Sequence, residues 1–177
     1  MWEDDEDDDD FDPEDPELLR EAEEEENRVK NLPIVKKAEE IFNLVNAIVE
    51  TIDSENDIVD EDGNIIPKVF FEHSQQMMLE DSMIINAKIH GAEGGDLYTL
   101  RMENATIIKV HARSLLTQTS SLKFMGYPNH DYLQLLRDEI ENFRIIFVDW
   151  INTFDKTNDI PDGWGLFYDP DIDYPEI

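Results

Sequence analysis

The sequence predicts an all-α fold, an antiparallel up-down four-helix bundle with an acidic disordered N-terminal arm and an irregular aromatic C-terminal segment. Three observations predict it. Four long stretches repeat apolar residues at the helical period, their inner connections are short enough for antiparallel neighbours, and no stretch alternates as a strand would. We therefore divide the chain into residues 1–30 as arm, disordered or partly helical, 31–157 as bundle, and 158–177 as a segment packed on the bundle.

The arm is defined by its charge. Residues 1–26 contain 17 Asp and Glu against one Arg, and residues 1–14 have too few apolar side chains to order themselves. Asp15 followed by Pro16 favours a helix start, since Asp caps and Pro suits the first helical position. The helix that follows is expected to pack against the bundle or to fray.

The first two bundle helices are predicted at 34–52 and from Pro67 to His90. The first has an apolar stripe without a polar interruption. The second is apolar around much of its circumference, which suits neighbours on two sides and is compatible with a homodimer. Gly91 suits its C-cap.

The connection between these helices is rich in Asp, Glu and Asn but does not match an EF-hand loop. With Gly63 as the sixth residue, Ile58 and Val69 stand where the loop requires acids. We therefore predict a polar turn.

The third and fourth bundle helices follow two glycine-containing turns. Asp96 is the predicted N-cap of a helix that reaches Phe124, and Asn129 is the predicted N-cap of the next. The apolar stripe of the fourth helix extends to Phe154. The aromatic residues of 158–177 show no regular period, so this segment is expected to pack along the bundle.

Several polar residues interrupt the apolar faces and are expected to meet inside the bundle. They are His73, Glu80, Arg101, Asn104, His111, Gln118 and Glu139. One interpretation is a structural network that fixes helix register, with Arg101 paired to Glu80 or Glu139. A small-ligand pocket lined by the same residues is a further interpretation.

The alternative is a mononuclear site for one divalent transition metal, held by His73, Glu80, His111 and Glu139. Ferritin-like bundles use inward glutamates and two Glu-x-x-His pairs. The chain has no Glu-x-x-His, and its first bundle helix offers no inward ligand. The main expectation is therefore that there is no cofactor.

Charge and composition restrict the partners. The formal net charge of −30 repels phosphate, which disfavours nucleic acid and anionic membranes but suits a basic protein partner. The same charge is also explained by solubility alone. The chain has no cysteine and no apolar run that could span a membrane, and its first ten residues are acidic where a secretory n-region is positively charged. A cytoplasmic location is therefore expected.

Catalytic signatures are weak. The chain has no G-x-S-x-G, no phosphate-binding glycine loop and no H-E-x-x-H. Two acid pairs at three-residue spacing, Glu50/Asp53 and Asp138/Glu141, do not complete the pattern of magnesium-dependent all-α nucleotide pyrophosphatases. The expected function is a non-enzymatic interaction or regulatory bundle, with the metal-binding bundle or metalloenzyme as the alternative.

Three stretches, LRMENATIIKVHARSLLTQTS, LQLLRDEIENFRIIFVDWI and WGLF, resemble an uncharacterised family of bacterial helical proteins. The resemblance covers most of the chain after residue 33. It implies a helical fold and no particular activity.

Overall fold

The structure, a computed structural model, describes residues 15–52, 56–59, 63–160 and 164–167. Within these residues the chain forms five α-helices and one short hairpin, so the all-α prediction is confirmed. The elements are α1 (Pro16–Lys30), α2 (Pro33–Glu50), β1 (Ile58–Val59), β2 (Ile65–Ile66), α3 (Lys68–Glu93), α4 (Tyr98–Phe124) and α5 (His130–Ile151). The N-terminal residues 1–14, predicted to be disordered, lie outside the described residues.

Helices α2 to α5 pack as a closed ring, in which α2 and α4 each contact both α3 and α5. The stripe of α2 supplies one side of the core because its apolar residues recur at helical spacing. Its buried members are Ile34, Val35, Ala38, Ile41, Val45 and Ile48. The up-down order of these helices stays a prediction.

Helix α1 begins where the sequence predicts. The Asp15 side chain accepts a hydrogen bond from the Glu17 amide at 2.9 Å, and Pro16 occupies the first helical position. The helix is exposed along its length except at Val29, which joins the core. Near its C-terminus, Arg28 adds a hydrogen bond to Glu93 of α3.

Helix α3 continues one turn beyond its predicted end. Gly91 is not a C-cap but an interior helical residue, and a Cβ there would lie 3.4 Å from Asn104 Oδ1. A Cβ at this distance would make an ordinary van der Waals contact with the Asn104 side chain, so the packing of α3 against α4 does not require glycine here. The extension carries Glu93 into the protein interior.

The start of α4 also differs from the prediction. The N-cap is Leu97, without a side-chain hydrogen bond, and the capping carboxylate comes from Asp159 instead. Asp159 Oδ1 accepts from the Thr99 amide at 3.1 Å, and its Oδ2 accepts from the Thr99 hydroxyl at 2.6 Å. The Tyr98 amide donates to the Asn158 carbonyl at 2.9 Å. The beginning of the C-terminal segment is thus bound to the ring.

The predicted polar turn between α2 and α3 contains a hairpin. Ile58 pairs with Ile66 and Val59 with Ile65 in an antiparallel register. Strands of two residues are too short to produce an alternating pattern, which is why the sequence did not predict them. Gly63 lies between them with a φ of +84°, a conformation that glycine adopts at little cost.

Candidate functional site

The residues predicted to form one interior cluster are not all inside. His73 and Glu80 share a face of α3, as their spacing requires, but that face is exposed. The buried face of α3 is formed by residues that include Phe71, Met78 and Ile85. Neither side chain therefore joins an interior network.

His111 is partly buried, and its partner is Asp81. The Nδ1 atom of His111 lies 2.7 Å from Asp81 Oδ1, and the Asp81 side chain is only 7% exposed. The other oxygen, Oδ2, is buried and has no hydrogen-bond partner among the described residues. A buried carboxylate with one unsatisfied oxygen depends strongly on its remaining partner.

Sequence reasoning missed Asp81 because it is one of many acidic residues in an acidic chain. One signal could have found it: Asp81 follows buried Met78 by three residues and precedes buried Ile85 by four. That spacing places it on the apolar face of α3.

Glu139 and Arg101 do not pair with each other, and Arg101 does not pair with Glu80. Glu139 accepts a hydrogen bond from Lys37 at 2.9 Å, which links α5 to α2. This hydrogen bond lowers the pKa of Glu139 below its ordinary value. Lys37 also contacts Glu40 on its own helix.

The remaining residues of the predicted cluster each donate one hydrogen bond. Asn104 donates to the Leu100 carbonyl at 2.9 Å. Gln118 is buried and donates to the sulfur of Met77 at 3.3 Å. Each contact satisfies one polar group, and neither creates a reactive arrangement.

A metal site is not assembled from the predicted ligands. Across the described ranges, no three His, Asp or Glu side chains are placed to hold one ion. His73, Glu80, His111 and Glu139 therefore do not form a coordination set, and the metal hypothesis rests on the sequence pattern alone.

The buried carboxylate of Glu93, at one end of the ring of helices, accepts hydrogen bonds from three side chains. Glu93 Oε2 accepts from Arg28 Nη2 at 2.9 Å, Oε1 accepts from Trp150 Nε1 at 2.9 Å, and Oε1 also accepts from Arg101 Nη2. The Glu93 side chain is 4% exposed. One residue of α3 is thereby bonded to α1, α4 and α5.

The two arginines that donate to Glu93, Arg28 and Arg101, each have a second partner as well. Hydrogen bonds to Glu25 and then to Glu93 raise the pKa of Arg28. The Arg101 guanidinium lies 4.0 Å from the ring centroid of Phe154, a cation–π contact. Both positive charges therefore already have partners, Arg28 at the surface and Arg101 in a mostly buried position.

Next to Glu93 is a cavity of about 680 Å³, which we call the acidic cleft. Its apolar walls are Leu32, Pro33, Ile34, Ile146 and Trp150, and its charged residues are Glu25, Arg28, Glu93, Asp96, Arg101 and Asp149. Asp149 has no ion-pair partner within the described part of the chain, and Asp96 reaches Arg101 only at 3.9 Å. The cleft therefore combines apolar walls with two carboxylates that are available to an incoming cation.

None of the helices described is both long enough and apolar enough to pass through a bilayer. Compared with protein families, with curated proteins and with solved structures, the chain has no match in any of the three. The resemblance to a bacterial helical family accordingly stays a prediction.

Proposed function

We propose that this protein is a non-enzymatic interaction module that binds a basic segment of a partner protein in the acidic cleft. One observation carries the proposal: the carboxylates of Asp96 and Asp149 border a cavity with both apolar and charged walls. Within the described residues Asp149 has no ion-pair partner, and Asp96 has only a long contact with Arg101, at 3.9 Å. Glu93 is different, because three donors already satisfy it.

The cleft suits a lysine or arginine side chain. Such side chains have an apolar stem and a charged head, so the stem would lie against Ile146 and Trp150 while the head contacts Asp149 or Asp96. Charge-assisted hydrogen bonds of this kind are stronger than neutral ones. The exposed acidic residues of α1 would attract the same partner at longer range.

The scaffold we propose for this site is an up-down bundle of α2 to α5. Its support is the closed ring of contacts together with the short connections at 94–97 and 125–129. Short connections favour antiparallel neighbours. We place the protein in the cytoplasm because it has no cysteine, which fits a reducing compartment.

The test is binding of a short fluorescent lysine-rich peptide, measured by anisotropy at low and physiological salt. The double variant Asp96→Asn/Asp149→Asn removes the two available carboxylates. We expect about tenfold weaker binding, since two partly exposed charge contacts contribute together roughly 1 kcal/mol or somewhat more.

The matched control is Glu39→Gln/Glu50→Gln, which removes two exposed charges from α2. The control should bind the peptide nearly as well as the unaltered protein. Equal losses in both double variants would mean that the peptide follows net charge and not the cleft, and the proposal would be wrong.

A further inference from the structure

A second cavity, which we call the α4–α5 groove, has a volume of about 480 Å³ and is mainly apolar. Its apolar lining is Met102, Ala105, Ala112, Leu116, Ile140, Phe143, Phe147, Val148, Ile151 and Phe167. Val148 is 40% exposed. Apolar grooves between helices are a common docking site for peptide segments with apolar anchors.

The charged residues of the groove are mainly cations, whereas the chain as a whole is strongly acidic. They are three cations, Lys109, Arg113 and Arg144, and one acid, Glu141. Arg144 is bonded to Glu141 at 2.6 Å. Lys109 and Arg113 are exposed, and the charged group of neither side chain has a hydrogen-bond or ion-pair partner in the described ranges. In a protein of net charge −30, two unpaired cations beside an apolar groove select for an acidic ligand.

Phe167 indicates which kind of side chain the groove accepts. This residue belongs to the C-terminal segment, is separated from α5 in sequence, and lines the groove half-buried. Its φ is +62°, a left-handed conformation that is unfavourable for a residue other than glycine. The Phe167 ring therefore lines the groove although the backbone conformation of this residue is unfavourable.

We propose that the α4–α5 groove binds an acidic peptide segment of a partner protein through an aromatic anchor, and that Phe167 is its intramolecular competitor. The anchor ring takes the place of the Phe167 ring against the apolar wall, and acidic residues beside the anchor contact Lys109 and Arg113. This inference does not depend on the acidic cleft, which takes a ligand of opposite charge at other residues.

The probe is a fluorescein-labelled peptide with the sequence WGLFYDPDIDYPEI, which combines aromatic anchors with four acidic residues. It is titrated into the full chain and into three variants, with anisotropy as the readout. Phe167→Ala removes the competitor and should bind the probe several-fold more tightly. Lys109→Glu/Arg113→Glu should weaken binding at least tenfold.

The charge control is Arg20→Glu/Lys36→Glu, two exposed cations of α1 and α2 outside the groove. It should bind the probe as the unaltered chain does, apart from a small loss from net charge. Circular dichroism melts verify that each variant is folded. The proposal is overturned if Phe167→Ala binds no better, if the probe binds no folded variant, or if the control loses as much as the groove pair.

A second copy of the chain is the other occupant to distinguish. Sedimentation of Phe167→Ala over a range of concentrations is expected to show a monomer. A dimer that the Lys109→Glu/Arg113→Glu changes abolish would assign the groove to self-association and would overturn the partner proposal.

Discussion

The contact of Asp81 with His111 places a nearly fully buried carboxylate between α3 and α4, with one oxygen that has no partner among the described residues. Removing one partner of a buried pair leaves an uncompensated charge, which typically costs about 3–5 kcal/mol. The stability of this contact therefore depends on the imidazole.

We predict that His111→Ala lowers the free energy of unfolding by about 3 kcal/mol, because Asp81 then has no donor. The measurement is urea denaturation followed by circular dichroism. His90→Ala, at an exposed position of α3, is the control and should change stability by less than about 0.5 kcal/mol. Similar losses in both variants would mean that the pair contributes little.

The double replacement Asp81→Leu/His111→Leu separates the two causes of such a loss. It removes both polar side chains and leaves apolar side chains at the contact, so it should be more stable than His111→Ala alone. If it is no more stable, loss of packing volume and not the unpaired carboxylate explains the effect.

At the scale of elements, α4 depends for its start on a residue far along the chain. Asp159 supplies the acceptors that Leu97 lacks. Asp159→Ala should therefore destabilise the protein by about 1–2 kcal/mol and reduce hydrogen-exchange protection at the start of α4. Asp138→Ala, at an exposed position of α5, is the control. Unchanged protection at Thr99 in Asp159→Ala would contradict the capping role.

The elements differ in how far the sequence predicts them, for a physical reason. The stripe of α2 is a local, periodic signal, so the helix and its buried face are evident from spacing. Two of the three partners of Glu93, Arg28 and Trp150, and the cap at Asp159 join residues about 60 positions apart. No local pattern contains that information.

The candidate site illustrates the same limit. The sequence singled out Arg101 and His111 as residues on an interrupted apolar face. It paired Arg101 with Glu80 or Glu139 and placed His111 in the same polar network or, alternatively, in a metal site. The observed partners, Glu93 for Arg101 and Asp81 for His111, are determined by how the helices rotate and by the extra turn at the end of α3. Rotation of one helix against another is a tertiary property.

For the whole molecule, pH acts on many carboxylates at once, and Glu139 is one whose contribution has a defined sign. Its folded pKa is lowered by Lys37, so it stabilises the fold above its ordinary pKa of 4.5 and loses that contribution as pH falls through the lowered value. We predict that the stability advantage of the unaltered protein over Glu139→Gln is largest near neutral pH and disappears in acid.

The measurement is the difference in unfolding free energy between these two proteins from neutral pH to below pH 4. Taking a difference cancels most of the general charge repulsion, which both proteins share. Glu72→Gln, at an exposed position of α3, serves as the reference and should show a smaller pH-dependent difference. An advantage that stays constant with pH would show that the Lys37 contact is not electrostatic.

The hydrogen bond from Arg28 to Glu93 couples the docking of α1 to the binding of cations at these carboxylates. A cation that competes with Arg28 for Glu25 or Glu93 loosens α1, and by reciprocity the docking of α1 weakens that cation by the same factor. A ligand that contacts only Asp96 and Asp149 escapes this coupling. The C-terminal half of α1 therefore competes only with a cation that contacts Glu25 or Glu93, and binding of such a cation is measurable as exposure of Val29.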